Sequence, residues 1–158
     1  MVLKEKFLTF SSIQHIVYKY IMDKVNIHKI FSSERESVQL IEPLILTVRD
    51  KIGLTDENIF NIMIAATEAV NNAIVHGNKL SPDKKVYFTL SSDESFVEIV
   101  VKDEGNGFDP AKLPDPREPS NIFMESGRGV FLIKELTHST NIKSGDDGTE
   151  LTMIFKIK

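Results

Sequence analysis

The chain contains no cysteine, which excludes a disulfide framework, a thiolate zinc site and a thiol nucleophile. It has no apolar run of the roughly 18 residues that a membrane helix needs, and its N-terminus lacks the charged, apolar and small succession of a secretory leader. There is no surplus of positive charge either. The 19 basic and 23 acidic residues leave a formal net charge of −4, so bulk electrostatics gives no reason to expect nucleic acid as a partner. Internal repeats and low-complexity tracts are missing. So is any Gly-x-x-x-x-Gly-Lys-Ser/Thr phosphate loop, and so is the Gly-rich, His-Arg-Asp and Asp-Phe-Gly set of the eukaryotic-type protein kinases. What remains is 158 residues, 41% hydrophobic and 27% charged, a size and balance that fit one soluble domain with its own core. The cytoplasm is the expected compartment.

The apolar pattern divides the chain. Leu3, Phe7, Phe10, Ile13, Val17 and Ile21 recur at three- and four-residue steps, predicting an amphipathic helix that breaks near Ser11–Ser12. Asn26–Ser33 alternates and reads as a short strand. Ser33-Glu34-Arg35-Glu36 has the form of a capping box opening a helix to about Ile52, with a kink expected at Pro43. Gly53 should end that helix. Thr55 should cap the next, with Asp56 and Glu57 at the positive end of its dipole, and that helix should stop near Gly77. Lys85–Ser91 and Phe96–Lys102 alternate as the two arms of a hairpin. Residues 103–127 are rich in glycine and proline, the signature of a lid or binding loop. Val130–Leu136 is helical by pattern, and Thr140–Lys143 and Glu150–Lys158 are strands joined through Gly145–Gly148. The sum is one α+β domain, an antiparallel sheet with helices on one face.

Several stretches carry possible chemistry. On the helix after Thr55, Ile59, Ile62, Met63, Ala66, Val70 and Ala73 form the core stripe, with Glu68 and Asn72 beside it, one turn apart. A carboxylate and a carboxamide so placed can serve an attacking hydroxyl and a divalent metal, or can simply be a solvated flank. His76 lies at the far end of the same face. Asp103-Glu104-Gly105-Asn106-Gly107 leaves a strand and turns through two glycines, so backbone can approach a ligand and a carboxylate can accept from an exocyclic amine; a plain hairpin turn reads the same way. A calcium loop is excluded by glycines at its acidic positions and Pro114 at its twelfth. A dinucleotide fingerprint is excluded because no helix follows the glycines. Ser126-Gly127-Arg128-Gly129-Val130 precedes a helix, where exposed amides suit phosphate oxygens and Arg128 can add charge; a flexible hinge is the alternative. Gly148-Thr149 offers a hydroxyl beside a glycine.

Taken in order, Glu68-Ala-Val-Asn-Asn72-Ala-Ile-Val-His76-Gly, Asp103-Glu-Gly105-Asn-Gly107-Phe-Asp-Pro, Ser126-Gly127-Arg-Gly129-Val-Phe-Leu-Ile and Gly148-Thr149 resemble the N, G1, G2 and G3 boxes of the Bergerat-fold ATPases. The spelling is most similar to the bacterial anti-sigma-factor serine/threonine kinases. The resemblance spans about residues 29–158 and leaves residues 1–28 as an N-terminal extension, predicted helical. It implies a two-layer sandwich, a mixed and mostly antiparallel sheet with helices on one face, binding ATP/ADP and Mg²⁺. By the resemblance Glu68 is the general base, Asn72 the Mg²⁺ ligand and His76 part of the nucleotide site. Asp103 and Thr149 face the adenine, Gly105 and Gly107 permit its approach, and 108–125 is a lid. Ser126, Gly127, Arg128, Gly129 and Val130 serve the phosphates. It further implies a homodimer whose partners are a sigma factor and an anti-anti-sigma (STAS-type) protein, the latter phosphorylated on serine or threonine, with no nucleic acid or membrane partner.

Two other functions fit the same residues: a nucleotide-gated module that sequesters a partner without phosphotransfer, and an ATPase that uses water as acceptor. A histidine-kinase core is disfavoured, because no dimerising phospho-acceptor helix pair is present.

Overall fold

A computed structural model describes residues 25–118, 121 and 127–157. The helix expected over residues 1–25 lies almost wholly outside the described residues. Among the described residues five strands form one sheet: β1 (Asn26–Ser32), β2 (Lys85–Ser92), β3 (Phe96–Lys102), β4 (Ser139–Gly145) and β5 (Gly148–Lys156), in the order β1-β2-β3-β5-β4. Every pairing is antiparallel. β1 starts at Asn26, so the sheet takes in residues on both sides of position 28.

Alternation sets the two faces of the sheet. Val86, Phe88 and Leu90 of β2, Val97, Ile99 and Val101 of β3, and Leu151, Met153 and Phe155 of β5 are all buried on one side, as a period of two requires. Against them lie α1 (Ile41–Ile52) and α2 (Asp56–Asn72), which contribute Ile41, Ile45, Val48, Ile62, Ala66 and Val70 to the same core. A third helix, α3 (Arg128–Leu136), adds Ile133. The two-layer α+β arrangement expected from the sequence is the observed one.

The start of the first helix differs from expectation. Residues Arg35–Leu40 form a 3₁₀ turn, Glu34 makes no side-chain cap, and the α-helix proper begins at Ile41. Ser33 does not close a capping box; its hydroxyl accepts from Asn78 Nδ2 at 2.7 Å. Pro43 therefore falls in the first turn of α1, where its missing N–H has no intrahelical partner to lose. The kink expected from a longer helix has no cause there.

α1 ends as expected on Gly53, left-handed at φ 64°, a conformation cheap only without a Cβ. Thr55 then caps α2: its Oγ1 accepts from Asn58 N at 3.1 Å, and Asn58 Oδ1 accepts from Thr55 N at 3.2 Å. Arg49 pairs with Asp56 beside this junction at 2.7 Å. Thr55→Ala is expected to cost about 1 kcal/mol, measured as a lowered denaturation midpoint with an unchanged slope. An unchanged midpoint would show that Asn58 and water satisfy the same amides.

At its C-terminal end α2 widens into a π-type turn over Ala73–Gly77, with Asn78 N donating to Ala73 O at 2.8 Å. Such bulges recur at functional sites. This one re-aims Gly77 and Asn78 toward the end of β3.

Candidate nucleotide site

Asp103 follows β3 directly and is only 4% exposed. Its Oδ1 accepts from Gly105 N at 2.8 Å and from Thr149 N at 3.1 Å, while its own N–H donates to Thr149 O at 3.0 Å. Oδ2 makes no hydrogen bond to the described residues. No fully buried side-chain oxygen or nitrogen among the described residues lacks a partner, so Oδ2 keeps some access to solvent, and Asp103 is among the residues that line the cavity. Burial pushes the Asp103 pKa above the usual carboxylate range, against the opposing pull of the Gly105 and Thr149 amides and of Lys84 and Lys102. A carboxylate held this way is a single directed acceptor.

Glycines make room for it. A Cβ on Gly77 would coincide with the Asp103 carboxyl, and one on Gly148 (φ 115°) would land on the Asp103 backbone oxygen. Gly105 is buried behind Asp103, against the Gly77 carbonyl; its contribution is the N–H that fixes Oδ1, and it does not line the cavity. Gly107 does line it, as does Thr149. The Thr149 hydroxyl shares a 2.9 Å hydrogen bond with Ser144, whose oxygen also accepts from Phe108 N at 2.8 Å. One hydroxyl thus ties the floor of the site to the first residue of the expected lid.

The cavity is about 440 Å³, of the size a mononucleotide requires. Glu68, Asn72 and His76 enter from α2, with Glu68 and Asn72 half-buried and His76 exposed at the rim. Gly127, Gly129 and Val130 enter from the first turn of α3, whose amides point along the positive end of the helix dipole. A Cβ on Gly129 would fall on Glu68 Oε1 and come within 2.8 Å of its Cδ, so the Glu68 carboxylate packs directly on the α3 backbone. Arg128 is exposed on the same turn and is not part of the wall, and Ser126 lies outside the described residues. Two described residues of the stretch expected to form a lid meet α3: Pro114 packs on Gly127, and Arg117 stacks over the Phe131 ring at 5.2 Å. Arg117 also pairs with Asp115 at 2.8 Å, holding the Asp115 carboxyl down at about 2.

Sequence reasoning missed Asn78, Ser144, Leu113 and Ile142. The last two supply apolar wall. Asn78 is 1% exposed with its amide fully used: Nδ2 donates to Ser33 Oγ at 2.7 Å and to Lys85 O at 2.8 Å, and Oδ1 accepts from Glu104 N at 2.8 Å.

For a divalent metal the wall offers the Asn72 amide oxygen, and among the described residues no three His, Asp or Glu side chains cluster as a self-standing metal site. Glu68, Asn71 and His76 also line the wall without forming such a cluster, and so sparse a donor set fits a Mg²⁺ that keeps waters and takes phosphate oxygens from its nucleotide. No helix among the described residues is long and apolar enough to cross a membrane.

One crevice over an antiparallel sheet thus gathers the Asp103 carboxyl, the first turn of α3 and the Glu68 carboxylate in an α+β domain. Residues 31–155 match the family model described as histidine kinase-like ATPase domain, and the chain belongs to that family. The chain is 30% identical over 132 residues to the serine-protein kinase RsbW of Staphylococcus aureus, covering 78% of this chain and 81% of that protein. It is 28% identical over 103 residues to the RsbW of Oceanobacillus iheyensis, covering 61% of this chain and 65% of that one. Among solved structures, the RsbU and RsbW domains of Rv1364c from Mycobacterium tuberculosis superpose with a TM-score of 0.61 at 16% identity, covering 84% of this chain and 32% of that one. That last likeness speaks for the fold.

Proposed function

We propose that this chain is an ATP- and Mg²⁺-dependent protein serine/threonine kinase that works as an anti-sigma regulator, phosphorylating an anti-anti-sigma protein. The observation that carries the reading is the single cavity in which Asp103 Oδ2, the first turn of α3 and the Glu68 carboxylate converge. The adenine amine donates an N–H to Asp103, while the triphosphate runs toward the amides of Gly129 and Val130. Asn72 would hold Mg²⁺, which would supply charge neutralisation to the phosphates. Glu68 accepts the proton of the substrate hydroxyl as that oxygen bonds to the γ-phosphorus and the bond to the leaving ADP breaks. The RsbW relatives, named serine-protein kinases, support the kinase activity and a protein serine as acceptor. In this reading the chain acts as a cytoplasmic homodimer that releases its sigma factor when the acceptor competes for it.

The test is labelled ATP with Mg²⁺ and candidate anti-anti-sigma proteins. Label on a partner serine or threonine is the expected result. Partner binding without label would leave a nucleotide-gated module, and free phosphate without a partner would leave an ATPase. Absence of calorimetric binding to Mg-ADP would overturn all three.

A further inference from the structure

We infer that Asn78 is the positioning residue for purine selectivity: it clamps the Asp103–Glu104 turn so that Asp103 Oδ2 meets a 6-amino purine and rejects a 6-oxo one. The inference rests on the nucleotide reading above and deepens it. Asn78 is buried and satisfied on both ends of its amide. Nδ2 is anchored to Ser33, just past the end of β1, and to Lys85 O at the start of β2, and Oδ1 holds Glu104 N. The preceding residue, Gly77, lies against the Asp103 carboxyl from the same side. Glu104 is fixed again by its own side chain, which accepts from Lys85 N at 2.7 Å and Tyr87 OH at 2.8 Å.

Asp103 is thus gripped from two directions. Gly105 and Thr149 fix Oδ1 on one flank, and Gly77 with the Asn78-bound Glu104 amide fixes the backbone on the other. An acceptor held in place discriminates between purines because the 6-oxo group of guanine would oppose its lone pairs, leaving both groups unpaired. A loosened acceptor can retreat from that clash and can also lose the amine.

Ratios of affinity test this in the full-length protein, because a change in stability alone rescales the active fraction and leaves the ratio where it was. Calorimetry with Mg-ADP and Mg-GDP should show a preference for ADP in the wild type. Asn78→Ala should shrink that preference about tenfold, the size of one lost buried hydrogen bond. Asn78→Asp keeps an oxygen for Glu104 N while setting a second oxygen against Lys85 O. It should lower the melting temperature yet retain the preference. Ser33→Ala should likewise lower the melting temperature only.

Should Asn78→Ala fail to fold, amide exchange in the wild type decides. A Glu104 N–H protected without nucleotide supports the clamp, and one that exchanges like a free loop overturns it. A wild type that binds ADP and an Asn78→Ala variant with unchanged preference would overturn the inference alone. A wild type that binds neither nucleotide would overturn the nucleotide reading beneath it.

Discussion

Glu68→Gln is expected to slow phosphoryl transfer to the partner protein by roughly 10²–10⁴-fold, the usual worth of a general base, with Mg-ADP affinity largely unchanged. The two side chains are nearly isosteric, so the packing against Gly129 survives while the basic oxygen is replaced by an amide. In the proposed binding mode nucleotide contacts fall to other groups on the wall, chiefly Asp103 and the first turn of α3, which separates binding from chemistry. Single-turnover transfer with saturating nucleotide is the appropriate measurement, because product release then cannot mask the step. Gly129→Ala is the companion variant. Its methyl group would occupy the space of Glu68 Oε1, and moving a base by about an ångström is enough to cost on the order of 10²-fold. If both variants transfer phosphate at the wild-type rate, Glu68 is not the base, and water or a partner carboxylate must take the proton.

Much of this site could be read from the chain because its parts are local. Glu68, Asn72 and His76 share a face by helical spacing, and Gly127, Gly129 and Val130 sit on one turn. Gly53 and Thr55 punctuate the helices through their own short-range geometry. What escaped is non-local. Asn78 takes its importance from Ser33, Lys85 and Glu104, which lie 45, 7 and 26 residues away in sequence, and no period or spacing announces such a contact. The same bond explains why the Ser33 capping box failed: the hydroxyl that a helix start would have used was already engaged by a buried amide, which would otherwise stand unsatisfied. Gly105 illustrates a third kind of miss. Its place in a glycine-rich turn suggested approach of a ligand, whereas its N–H works from behind, orienting the acceptor. The strand order β1-β2-β3-β5-β4 was equally hidden, since the hairpin β4–β5 can be added to a sheet edge through either of its strands. Adding it through β5 is what brings Thr149 against Asp103.

Asp103→Asn is expected to weaken ADP binding by about 10–100-fold while raising the melting temperature. The isosteric amide can keep its oxygen at the Oδ1 position, accepting from Gly105 and Thr149 as before. Its NH₂ group then occupies the Oδ2 position and confronts the adenine amine with a donor. The loss is that of a hydrogen bond to a charged group, about 1.5–3 kcal/mol. Stability moves the other way because burial already disfavours the charged form of Asp103, so a neutral group of the same shape removes that penalty. The wild type should show the same opposition as a function of pH. The native state holds a proton on Asp103 more tightly than the unfolded chain does, so this group adds stability as pH falls through its native pKa and the gain disappears above it. ADP affinity has the opposite slope. The proton must go to Oδ2, since Oδ1 is occupied by two backbone donors, and it turns the acceptor into a donor. Binding should therefore begin to fail on acidification at a higher pH than an ordinary carboxylate would dictate, and the Asp103→Asn protein should lack that inflection. Calorimetric titrations across the acidic range, paired with melting curves at each pH, measure both slopes. An Asp103→Asn variant that binds ADP as tightly as the wild type would remove Asp103 from purine recognition, and the Asn78 clamp would then have nothing to position.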